Sequence, residues 1–450
     1  MNRGSFQRLP VYRQLLRKLL FLSVPTIIEE ILATLLQYVD TAMVGRLGEQ
    51  ATASVSITTN VTWLVNSVPG AIGTAVLVLI SKAAGEEDRH QVKKLSEQAF
   101  LLAVTAGIIL EIVCLALSPF IPVWMGAEPA IQQRAAGYFF IISIPMLMRS
   151  VSTVMGAALR AIQDTRTPMV INVGANCMNI IFNYILIYMA DMGVIGAAIA
   201  SAISYTVSGV LMFAACRRRG WLRWEWREFS PDRTLLKACA VTGLPVLGTS
   251  VVSCFGYVMF AGLVSGMGTT VFAAHSIAVT AETIFYVPGY GLRSAASTLI
   301  GNARGERNVK KLKTVGVLSV LLTVCIMCVS GVILYLGASP LMGLFSPSER
   351  VVALGAEMLR LVAVSEPFFG LMVVLEGIFY GLGKTRYAFF VETAGMWCVR
   401  ILFTFFCVNV WHLGLRAVWY CMIADNVCKA ILFAVPFLSK KRRSELAKDI

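Results

Sequence analysis

The chain has 450 residues, 57% of them hydrophobic and only 14% charged, with a mean hydropathy of +0.74. Soluble domains carry roughly 25% charged residues, so this composition excludes a soluble enzyme, a secreted protein and a disordered chain, and identifies an integral membrane protein. The 39 basic residues behind the net charge of +14 stand in short clusters between apolar runs rather than on one stripe, which argues against a nucleic-acid partner and for a protein oriented in a lipid bilayer.

In chain order, apolar runs lie at about 19–44, 51–80, 95–119, 135–158, 168–190, 193–215, 235–264, 271–300, 314–338, 351–376, 387–411 and 414–438. They predict twelve transmembrane helices, because runs of about 20 apolar residues satisfy their own backbone hydrogen bonds in lipid, whereas barrel strands alternate over about ten. The first run follows Arg13, Arg17 and Lys18, is long and lacks a small-residue cleavage site, so it is expected to remain as a span. Of the 39 basic residues, 30 fall at the two termini and in the loops after even-numbered spans; the opposite loops hold Arg46, Arg134, Arg350 and Arg416. The positive-inside rule then places both termini in the cytoplasm. The 11 cysteines are scattered through apolar segments and read as packing residues in a reducing setting.

The longest polar interruption, RRRGWLRWEWREFSPDR at 217–233, falls near the midpoint. It divides the chain into residues 1–216, a cytoplasmic connector at 217–234, and residues 235–450 with a basic tail. At a constant offset of 220, Pro25 matches Pro245, Gly48 matches Gly268, Ser56–Ile57 matches Ser276–Ile277, and Ala83, Gly85 and Glu86 match Ala303, Gly305 and Glu306. These matches fall on residues that punctuate backbone, which points to one fold used twice. The expected architecture is all-α, with two six-helix lobes related by a pseudo-twofold axis along the membrane normal and substrate bound between them.

Ionisable and polar residues inside the spans are the candidates for chemistry. Asp40 lies near the outer end of the first span, with Arg46 as a possible structural partner. Asn172, Asn176, Asn179 and Asn183 occupy one helical face of the fifth span. Amide carbonyls can coordinate a cation or hydrogen-bond a carboxyl, so Asn179, Asn183 and Ser201 are candidate partners of Asp40 in a cation- or proton-coupling site, with plain helix–helix hydrogen bonding as the alternative. In the second half, Asp425 and Lys429 have the spacing of a structural ion pair. Glu282, without a close in-helix base, and Glu366, beside the kink-forming Pro367, are candidates for a substrate cavity, together with Tyr257, Phe285, Tyr286 and Phe369. Glu29 and Glu30 are assigned to pairing with basic loops. GLGKT at 381–385 misses a phosphate loop, because the position five before Gly383 is Ile378. With no catalytic motif and no metal cluster in the sequence, transport energy must come from an ion gradient or from the substrate's own.

The strings VPTIIEEILATLLQYVDTAMVGRLG (24–48), AGEEDRHQVKK (84–94), ALRAIQDTRTPM (158–169), MGVIGAAIAS (192–201), GTTVFAAHSIAV (268–279) and GIFYGLGKTR (377–386) together resemble the multidrug and toxic compound extrusion (MATE) family over nearly the whole chain. The resemblance implies two six-helix lobes in a V shape and export of organic, often cationic, molecules in exchange for protons or sodium. It places Asp40 at a position used by relatives for cation coupling. Many relatives carry Asp where Asn183 stands here, so this site has one carboxylate instead of two. The acidic residue that one branch carries in its seventh span aligns with Ser253, so that branch's sodium site does not transfer.

The resulting expectation is a secondary antiporter, not an enzyme. It exports small organic cations from the cell, sits as a monomer in the inner or plasma membrane, and needs no cofactor beyond a proton or sodium as coupling ion. A flippase for lipid-linked precursors or metabolites is the nearest alternative and would need a basic cavity; Arg149, Arg293 and Arg400 are its only candidates. A membrane-embedded enzyme or sensory scaffold is the alternative of another class and lacks a catalytic cluster.

Overall fold

The computed structural model describes residues 9–225 and 230–439, and the described residues are helical without a strand. In the first half lie α1 (Leu9–Gly45), α2 (Glu49–Gly85), α3 (Arg89–Leu117), the one-turn α4 (Ile121–Trp124), α5 (Pro129–Ser143), α6 (Met146–Ala161), α7 (Arg166–Asn183) and α8 (Gly193–Arg218). The second half has α9 (Arg233–Ser265), α10 (Thr269–Gly305), α11 (Val309–Phe345), α12 (Glu349–Ala363), α13 (Glu366–Gly381), α14 (Thr385–Ala394), the short α15 (Leu402–Phe405) and α16 (Leu415–Leu438). Wide π-helical turns continue α7 over Tyr184–Met189 and flank α15 over Gly395–Ile401 and Phe406–Val410.

Ten helices are long and apolar enough to cross a bilayer, and two bent pairs bring the number of spans to twelve. The runs at 135–158 and 351–376 are each two helices: α5 and α6 meet at 49°, α12 and α13 at 55°. Proline accounts for both breaks. Pro145 has no N–H to offer the Ile141 carbonyl, which accepts from Ile144 N at 3.3 Å instead; Pro367 likewise leaves Ala363 without its usual donor. Four helices, α1, α2, α10 and α11, have 37 residues each. At 1.5 Å per residue that is about 55 Å, well beyond a hydrocarbon core of about 30 Å, so their ends stand in the polar layers.

The duplication is visible in the backbone itself. Helices begin at Glu49, Arg89, Pro129 and Met146, and again 220 residues later at Thr269, Val309, Glu349 and Glu366. The left-handed turn positions repeat at the same offset: Gly48 and Gly268 (φ 104° and 110°), Glu87 and Arg307 (58° and 52°), Gln163 and Gly383 (68° and 73°). The caps repeat too, since Asp88 accepts from Gln91 N and Asn308 from Lys311 N, each at 2.9 Å.

Two compact units result. One takes the chain up to Glu30 and again from Gly248; the other is Ile31–Leu247. Helices α1 and α9 therefore each divide their length between both units. Within the first-named unit, Thr26 Oγ1 donates to Gly291 O at 2.9 Å. Within the other, Gly243 of α9 lies against Ala71 of α2. The Ile31–Leu247 unit is cored by Val76, Ile80, Val154, Met155, Leu159 and Met212, onto which Leu222 and Trp224 of the connector pack. The connector is also fastened by α3: Ser230 N donates to Glu97 Oε1 at 2.6 Å and Gln98 Nε2 to Ser230 O at 2.9 Å. The core of the other unit is built from Val264, Ala278, Leu334, Met358, Leu359 and Trp419. Connector residues 226–229, Arg3 and Arg8, and the basic tail from Lys440 lie outside the described residues.

Candidate functional site

In the Ile31–Leu247 unit the four residues of the expected coupling site form one hydrogen-bonded chain. Asn183 Nδ2 donates to Asp40 Oδ1 and, at 3.2 Å, to Asn179 Oδ1; Asn179 Nδ2 donates to Ser201 Oγ at 3.2 Å. The stripe on α7 explains the arrangement, because Asn179 and Asn183 are one turn apart and both face α8 or α1. Asn183 is fully buried, its Oδ1 has no partner, and the chain widens into a π-helical turn at the next residue. Extra turns of this kind cluster at functional sites because they release backbone groups from the regular ladder. Among the described residues no Lys or Arg pairs with Asp40, and Arg46 is exposed. Beyond this group, Ser208 Oγ donates to Asn172 Oδ1 at 3.1 Å and meets Ser152 Oγ at 2.7 Å. That contact has the form of ordinary helix–helix bonding. Arg149 stacks over Tyr205 at 4.2 Å.

The unit that runs from Gly248 holds its charges differently. The expected Asp425–Lys429 pair is present, with Lys429 Nζ 3.2 Å from Asp425 Oδ1, but it is part of a larger network. Arg400 Nε lies 2.9 Å from Asp425 Oδ2, and Lys429 Nζ lies 3.0 Å from Glu392 Oε2. Asn426 Oδ1 accepts from Arg400 Nη2 at 3.2 Å. A second cluster joins Arg293 Nη1 to Glu376 Oε2 at 2.8 Å, with Tyr380 OH donating to Glu376 Oε1 at 2.6 Å. Three acids are thus matched by three bases, as buried charges must be.

Glu282 and Glu366 are left over. Both are buried, Glu366 has neither carboxyl oxygen partnered, and Glu366 stands in the electrostatic field of Glu282. Arg400 is the base whose charge reaches Glu282, but Asp425 holds it. Tyr257 lies beneath the Arg400 guanidinium, 5.6 Å from ring centre. Tyr286 and Phe369 meet at 5.2 Å and share Tyr290, which in turn carries Arg293 at 4.7 Å. Phe285, one residue from Tyr286, points elsewhere and packs against the hydrophobic core of the unit. The proposed aromatic set is therefore divided into Tyr257 near Arg400, Tyr286 with Phe369, and Phe285 apart.

Gly395 was not singled out from the sequence. A Cβ there would fall 2.3 Å from Lys429 Cε and 2.4 Å from Asp425 Oδ1, so only glycine lets the ion network approach the backbone. Its available signal was its position three residues after Glu392, on the same helical face.

Comparison with known proteins agrees with this architecture. The MatE family model matches residues 25–185 and again 245–406, one match per repeat. A probable multidrug resistance protein NorM from Thermotoga maritima is 27% identical over 96% of this chain and 95% of its own. The multidrug resistance protein MdtK of Pectobacterium atrosepticum is 24% identical over 86% of each chain. Among solved structures, a MOP superfamily transporter from Pyrococcus furiosus superposes with a TM-score of 0.90 at 24% identity, covering 96% of this chain and 98% of its own. The chain belongs to the MatE family and is a multi-pass membrane transporter of the multidrug-efflux class, not an enzyme.

Proposed function

We propose that this protein is a secondary antiporter that exports small organic cations in exchange for protons or sodium ions, acting as a monomer in the inner or plasma membrane with both termini cytoplasmic. The observation that carries this reading is the Asp40–Asn183–Asn179–Ser201 chain, a carboxylate at membrane depth surrounded by neutral donors and acceptors. A carboxylate there costs roughly 2.5–3.5 kcal/mol on insertion scales. A structural role would supply a permanent counter-ion; a coupling role requires that the counter-ion come and go. The unmatched Glu282 and Glu366 supply a second acidic locus, and Tyr257, Tyr286 and Phe369 supply ring faces that attract cations.

The flippase alternative needs free basic groups for an anionic headgroup. Arg293 and Arg400 are held by Glu376 and Asp425, and Arg149 lies over Tyr205, which speaks against it. The test is time-resolved efflux of a fluorescent organic cation from efflux-deficient bacteria expressing wild type or Asp40→Asn, with proton and sodium gradients collapsed separately. Gradient-dependent efflux that disappears in Asp40→Asn is the expected result and identifies the ion. Wild-type protein that is inserted in the membrane but exports no cation would overturn the reading in favour of a lipid or metabolite cargo.

A further inference from the structure

A groove of about 530 Å³ opens on the side of the Gly248-onward unit, between the α12–α13 break and α16. This lies within the range of ligand-sized sites. Its walls are apolar, formed by Leu361, Val364, Phe368, Ile423 and Val427, and they are open to the surroundings of the spans: Val364 is 70% and Phe368 47% exposed. Its mouth is basic. Arg416, the second residue of α16, pairs with Glu357, while Arg360 donates from Nη2 to the neutral Ser339 Oγ at 2.8 Å. Two guanidinium groups thus share one carboxylate, and the positive charge of Arg360 is uncompensated at the edge of an apolar trough.

From Arg416 to Val427 the groove follows twelve residues of α16, about 16 Å along the helix. Half of a hydrocarbon core of about 30 Å is nearly the same length. One end therefore asks for an anion and the other for a hydrocarbon chain spanning one leaflet. An arginine at this depth is stabilised by a phosphate, which it can grip with two parallel N–H donors. An organic cation is repelled by the same mouth. A zwitterionic lipid brings its own ammonium to the surplus guanidinium, whereas a lipid of net negative charge does not.

We propose that this groove is a binding site for one anionic phospholipid, with its phosphate held by Arg360 and Arg416 and one acyl chain laid along Leu361, Val364, Phe368, Ile423 and Val427. Ser365, at the break between α12 and α13, lines the trough, so the lipid lies directly over the bend of the tenth span.

Native mass spectrometry of the full-length protein in detergent, titrated with phosphatidylglycerol or phosphatidylcholine of identical chains, tests this. Wild type is expected to retain one phosphatidylglycerol at a concentration about tenfold below that needed for phosphatidylcholine, the scale of one charge-assisted contact. Arg360→Gln should remove most of that preference, Arg360→Lys should keep part of it, and Val364→Trp should reduce retention of both lipids by filling the trough. Thermal melting of each variant separates loss of the site from loss of the fold. Equal retention of the two lipids by wild type, an unchanged preference in Arg360→Gln, or equally tight binding of chain-free glycerophosphoglycerol would each overturn the proposal.

Discussion

On α7 and α8, Asn172 and Ser208 make a neutral hydrogen bond of 3.1 Å, whereas 220 residues beyond Asn172 stands Glu392, joined at 3.0 Å to Lys429, which is 221 beyond Ser208. The same helix pair is thus tied by a hydroxyl in one repeat and by buried ions in the other. Asp40 has its counterpart in Phe260, which meets His275 edge to face, so the second repeat lacks an acid at that point and carries its unmatched acids at Glu282 and Glu366 instead. Duplication has kept the turns, caps and helix breaks, and charged pairs near the helix ends such as Arg17 and Lys237 or Arg166 and Arg386, while the acids Asp40, Glu282, Glu366, Glu392 and Asp425 have no acidic counterpart at the same offset. Backbone geometry is common property of the two halves; the chemistry belongs to each half separately.

Removing charge from each half tests that contrast. Asp425→Ala leaves Arg400 buried without its acid and Lys429 with Glu392 alone, and should lower stability by about 3–5 kcal/mol in thermal or denaturant unfolding, with loss of monodisperse protein. Gly395→Ala inserts a methyl group against the same network and should cost about 1–3 kcal/mol by overpacking. Asn172→Ala, at the corresponding neutral tie, should cost only about 1 kcal/mol. If Asn172→Ala were as damaging as Asp425→Ala, the distinction between an ion-braced and a neutral half would fail. Glu366→Gln should have the smallest effect on stability, near zero or slightly favourable, because it removes a buried carboxyl that has no partner to strand. Its effect should appear in transport, as slower efflux of an organic cation by a protein that melts like wild type.

The twelve spans and the repeat were legible in the sequence because both are written in features of long range: uncharged runs, and Pro and Gly at fixed offset. The α5–α6 and α12–α13 breaks were marked only by Pro145 and Pro367, since hydropathy does not register a bend inside an apolar run. Division of α9 at Leu247 has no hydropathy signature, because no charged residue interrupts the apolar run there, whereas in α1 the division falls directly after Glu29 and Glu30. Asp40, Asn179, Asn183 and Ser201 were found because polar side chains at helical spacing stand out against lipid. The Asp425–Lys429 pair was legible from local spacing, but its extension to Glu392 and Arg400 needed contacts between separate helices. Phe285 shows the limit of residue type as a guide, since one step along a helix turns a side chain by about 100°, from the Tyr286 face into the core.

The central claim is that the carboxyl of Asp40 exchanges a small cation for an organic one. Purified wild type and Asp40→Asn, titrated with a fluorescent organic cation in weakly buffered solution while released protons and sodium are both measured, test it most directly. The account predicts that wild type releases one of these ions as the organic cation binds, and that Asp40→Asn releases none while keeping its fold. Ion release of equal size from Asp40→Asn would contradict the account and move the exchange to Glu282 and Glu366.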